Sequence, residues 1–115
     1  MARVRRVVEE LEAELYKVPA PKFFRTEQGE LELKTYADGV KKLDIFFRGI
    51  KAPDGSIAQV MVDGEILCEL PLKRGSAHHE YSSGNGNQVP EVRDGQVVEV
   101  HYGGKVFLKG AFKPD

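Results

Sequence analysis

Hydrophobic and polar residues alternate with two different periods along the chain, and the change between them divides it. In the first segment Val4, Val8, Leu11, Leu15 and Val18 recur at spacings of four, three, four and three. On a helix that spacing forms one apolar stripe, which Val7 widens. Arg, Glu, Leu and Ala fill the other positions and favour a helix. Pro19 and Pro21 end it, because proline cannot donate the next hydrogen bond and restricts the residue before it. The expectation is an amphipathic helix with a proline hinge over residues 1–20.

From residue 21 onward the period is two. Leu31, Leu33 and Thr35 alternate with Glu30, Glu32 and Lys34, and Leu43, Ile45 and Phe47 share a face of the run that follows. Asp38-Gly39, Pro53-Asp54-Gly55, Asp63-Gly64 and Gly103-Gly104 mark turns between such runs. Residues 83–94 are long for a hairpin and read as a crossover between sheets. Residues 21–115 are therefore expected to form an antiparallel Greek-key β-sandwich of seven or eight strands, a mainly β fold behind one N-terminal helix.

The face assignments supply the candidate functional residues. On 65–72, Ile66, Cys68, Leu70 and Leu72 read as inward, making Cys68 a small buried hydrophobe rather than a nucleophile. Phe46, Met61 and Phe107 fall on otherwise polar faces and together suggest a patch to be covered. The helix stripe is the natural cover, from the same chain or from a second copy. Arg3, Arg5 and Arg6 precede Glu9, Glu10, Glu12 and Glu14, and antiparallel pairing of two such helices would set arginines against glutamates. The leading expectation is a non-enzymatic assembly module whose partner is itself. Its interface would comprise Val4, Val8, Leu11, Leu15, Val18, Phe46, Met61 and Phe107.

Composition narrows the classes further. The 115 residues make room for one domain, and a net charge of −1 shows no basic excess for nucleic acid and no polybasic reason to sit on a membrane. One cysteine excludes an intrachain disulfide. No stretch reaches the roughly 18–20 apolar residues that span a bilayer, and acidic residues occupy the place of a signal-peptide core, so a cytoplasmic protein is expected.

Catalytic signatures are weak, and no catalytic residue or cofactor is assigned. Ser82-Ser83-Gly84 lacks the strand-to-helix elbow of a hydrolase nucleophile, and Gly84-Asn85-Gly86-Asn87 lacks the lysine and helix of a phosphate loop. Adjacent strand positions point His78 and His79 to opposite faces. His79 shares a face with Tyr81, and His101 shares one with Glu99. The alternative function is thus a metal- or small-ligand-binding β domain in which His79, His101 and Glu99 converge, provided their strands are neighbours.

The turn pattern of residues 49–112, with Pro53-Asp54-Gly55, Val62-Asp63-Gly64, Val89-Pro90-Glu91-Val92 and the closing Gly110-Ala111-Phe112, resembles the β-sandwich domains of the CHRD and superoxide-dismutase-like group. The resemblance implies a Greek-key sandwich. The chain lacks that group's His-x-His copper-ligand arrangement and disulfide pair, so the resemblance implies no dismutase activity.

Overall fold

The computed structural model of the chain describes residues 6–20 and 26–115. Eight strands account for most of them: β1 (Val7–Lys17), β2 (Glu27–Tyr36), β3 (Lys41–Phe47), β4 (Ile57–Val62), β5 (Glu65–Pro71), β6 (Ala77–Ser82), β7 (Val97–Tyr102) and β8 (Lys105–Pro114). They form one sheet in the order β5-β4-β7-β8-β1-β2-β3-β6, and every paired neighbour is antiparallel.

The expected N-terminal helix is a strand. Among the described residues there is no α-helix, only a 3-10 turn at Ser83–Asn85. β1 lies inside the sheet, laddered to β2 on one side and β8 on the other. Leu11, Ala13 and Leu15 point into the core, whereas Val8 and Val18 of the supposed stripe stay exposed. Ala13 sits between Leu31 and Phe112, a small residue beside large ones. Helix propensities differ by up to about 0.7 kcal/mol per ordinary residue. Burial of one leucine side chain contributes about 1.5–3 kcal/mol. Two ladders plus a buried face therefore outweigh the helical preference of Glu, Leu and Ala. Pro19 ends the element where expected, whatever its type. Val4 and Pro21 lie outside the described residues.

The second correction concerns layers. Instead of two stacked sheets, the single sheet curls until its edges approach, giving a nearly closed barrel. β5 and β6 share no strand ladder, yet the turn over 72–76 joins them, held by a Lys73–Ser76 bridge. Above that turn the Tyr81 hydroxyl meets the Cys68 thiol across the seam.

Curling requires strands that bend, and two glycines permit it. Gly29 on β2 pairs with Leu15. A Cβ there would overlap the Phe46 carbonyl oxygen and lie 2.6 Å from the Phe47 Cα. On β8, a Cβ at Gly110 would overlap the Glu14 carbonyl oxygen. β1 is thus flanked at Leu15 by two positions where backbone packs on backbone.

The interior is filled by Leu15, Leu31, Leu43, Ile45, Phe47, Val60, Val98, Val100, Leu108 and Phe112, all fully buried. Two long connections close the ends: β3–β4 (48–56) buries Ile50 at one, and β6–β7 (83–96) buries Val92 at the other. With the edges β5 and β6 side by side, the first passes β6 and β5 to reach β4, and the second passes β5 and β4 to reach β7.

Candidate functional site

The end of the barrel beneath the β6–β7 connection carries a cavity of about 880 Å³. Here β1, β3, β5 and β7 begin, and β2, β4, β6 and β8 finish. Its floor consists of Leu11 and Leu33, both buried, with Leu67 and Tyr81 at the sides and Val92 from the connection above. Leu67 reaches the floor through a β-bulge. The β4–β5 register slips between Val60 and Met61, so Ile66 faces Met61 on the outside and is 53% exposed. The simple alternation that put Ile66 inside fails at that slip.

The connection is pinned at both ends. Lys41 N–H donates to Ser83 Oγ at 2.8 Å, Arg93 N–H to Gln96 Oε1 at 2.7 Å, and Gly95 N–H to the Phe112 carbonyl at 2.8 Å. Charged side chains ring the opening: Glu9, Lys41, Glu91, Arg93 and Asp94. Of these, Arg93 Nη2 lies 3.6 Å from Glu91 Oε1. An apolar floor under a polar rim is the arrangement of a small-molecule site.

A second constellation lies on the outer face of β1 and β2. Glu10, Glu12 and Glu14 alternate with the core residues of β1, and the register sets Glu12 opposite Glu32 and Glu14 opposite Glu30. Carboxylate oxygens of Glu12, Glu27 and Glu30 fall within 4.8 Å of one another, as do those of Glu10, Glu32 and Asp115. Glu12 is pushed up to about 8, first by its hydrogen bond with Glu30, then by burial and the negative charges of Asp115 and Glu30. Burial and neighbouring carboxylates also raise Glu27. Lys34 Nζ offsets part of the charge, 3.2 Å from Glu32 Oε1 and 3.9 Å from Glu10 Oε1. Oxygen donors this close suit a shared proton or a hard cation.

The histidines do not meet. His79 stands on β6 with its ring 4.6 Å from that of Tyr81, edge to face. His101 stands on β7, its Nε2 3.2 Å from Glu99 Oε1. β6 and β7 are not neighbours in the sheet, which is the condition their convergence needed. Among the described residues, both groups of three potential metal donors consist of carboxylates alone. His78, the third, is exposed and lies 2.7 Å from Asp44 Oδ1.

The proposed interface residues are likewise dispersed. Leu11 and Leu15 are core, Val8 lies near the start of β1, and Val18 lies just past its end. Phe46, Met61 and Phe107 stand on β3, β4 and β8, no two of which are neighbours. Phe107 is half-buried against Tyr102, with the Lys105 ammonium 5.4 Å from its ring centre. The mouth, by contrast, lies under residues 83–94, which read from sequence as a crossover between sheets rather than a binding loop. Val89 and Val92 on either side of Pro90 were the available signal: two apolar residues in a polar loop that folds back on the core. Comparison with family models, curated proteins and solved structures finds no match to this chain.

Proposed function

We propose that this chain is a non-enzymatic binding domain that takes a small molecule with an apolar body at the mouth of its barrel. The cavity there carries the reading: about 880 Å³ falls in the range of about 300–1,000 Å³ usual for ligand sites. It also lies at the mouth of an eight-stranded barrel, a place suited to one small ligand. The pinned connection above it supports a preformed site. Burial raises the Cys68 thiol, against the pull of the Tyr81 hydroxyl, which favours the unreactive protonated form. The strongly shifted carboxyl, Glu12, lies on the outer face rather than in the cavity, which supports binding over catalysis there.

The test is saturable fluorescence enhancement of the neutral probe N-phenyl-1-naphthylamine. Leu67→Trp should fill the cavity and weaken binding about tenfold or more, comparable to the energy of a lost apolar contact. An absence of saturable binding, or a Leu67→Trp protein that binds unchanged, would sink the reading.

A second reading is self-association through the outer face of β4 and β5. Ile57 and Ile66 are 47% and 53% exposed, and their cross-strand partners are Pro71 and Met61. Two outward apolar pairs, with only Met61 half-buried, beside an edge strand favour a covering partner, and a second copy is the simplest. Light scattering after size exclusion tests it: the wild-type chain should exceed monomer mass and Ile66→Lys should return it to monomer. A wild-type monomer refutes it.

We also propose kinship of fold with the CHRD and superoxide-dismutase-like group. In support, Gly110 of the closing Gly110-Ala111-Phe112 fits β8 against β1, and Phe112 is core. That kinship brings no activity. Among the described residues no helix is long and apolar enough to cross a membrane. A single cysteine supports a cytoplasmic location.

A further inference from the structure

We infer that the ligand of the barrel mouth is a cationic amphiphile, an amine carried on an apolar body; this rests on reading the mouth as a ligand site. Three carboxylates (Glu9, Glu91, Asp94) and two cations (Lys41, Arg93) line the cavity. Arg93 is engaged by Glu91 at 3.6 Å, which removes one charge of each sign. Among the described residues that line the cavity, Glu9 and Asp94 are left against Lys41. A ligand carboxylate entering over the floor of Leu11, Leu33 and Leu67 would meet an excess of like charge. An ammonium head would meet an excess of opposite charge while its apolar body covered that floor. Tyr81 lines the same cavity, and an aromatic ring favours cations over anions. The selecting carboxylates are exposed, so the preference resides in side chains that the fold does not require.

The experiment compares octylamine, octanol and octanoate, which share one chain length and differ in head group. Each is measured at neutral pH and moderate salt by displacement of N-phenyl-1-naphthylamine from the full chain. Octylamine should bind about two- to fivefold more tightly than octanol, the size of one partly exposed charge interaction, with octanoate weakest. The double substitution Glu9→Lys, Asp94→Lys should reverse that order, with octanoate binding more tightly than octylamine. Equal binding of octylamine and octanol would overturn the cationic class and leave the mouth site standing. Failure of all three to displace the probe would overturn the site and the class together. An order unchanged in the double variant would place the selectivity elsewhere and overturn this assignment.

Discussion

Glu12 carries a pH dependence whose sign follows from its neighbours. Its carboxyl is raised from 4.5 to about 8 because the protonated form shares a hydrogen bond with Glu30 among other carboxylates. In the unfolded chain it ionises near its ordinary value; in the fold it holds its proton longer. Its contribution to stability is therefore complete below 4.5 and lost as pH rises through about 8. Glu27, raised by burial, acts in the same direction. Thermal unfolding followed across that window should show the melting temperature falling as pH rises. Glu12→Gln, which keeps a donor for Glu30 but does not titrate, should flatten the fall. A wild-type melting temperature that climbs over the window would contradict the arrangement.

At the scale of the element, β1 shows why part of the fold was legible and part was not. A spacing of four, as between Leu11 and Leu15, puts residues on one face of a helix and also on one face of a strand. Only odd spacings decide. Val8 to Leu11 and Leu15 to Val18 are three apart, which favoured the helix, and those are the valines that the structure leaves exposed. Ala13, a helix former by propensity, completes the inward set Leu11, Ala13, Leu15 against Glu10, Glu12, Glu14. The hairpins at Asp38-Gly39 and Asp63-Gly64 were legible because turn chemistry is local. The bulge that puts Leu67 in the mouth was not, because only the partner strand defines it. Gly110 makes a prediction at this scale. Its missing Cβ would overlap the Glu14 carbonyl, and neither backbone can yield without unzipping β8 from β1. Gly110→Ala should cost about 3 kcal/mol, the upper end for overpacking. Denaturant unfolding should show a lower midpoint and, beside it, a smaller effect for Lys109→Ala on the exposed neighbour.

The whole molecule is a barrel stoppered twice, and its stoppers differ in what else they do. Ile50 enters from the β3–β4 connection, its N–H donating to the Gly75 carbonyl at 3.1 Å. Val92 enters at the far end from the β6–β7 connection, where it also bounds the cavity. Each is buried, so truncation removes apolar contacts and leaves a void: about 2–4 kcal/mol for Ile50→Ala and about 1–3 kcal/mol for Val92→Ala. The two stoppers come from different connections that close opposite ends of the barrel. The two losses should add to within about 0.3–0.5 kcal/mol in the double variant. Function should separate them. Val92→Ala alone should change the affinity for N-phenyl-1-naphthylamine, because it alone alters the cavity wall, while Ile50→Ala lowers stability and leaves binding at its wild-type value. Equal effects of both on binding would mean that the probe reads global loosening of the barrel rather than its mouth.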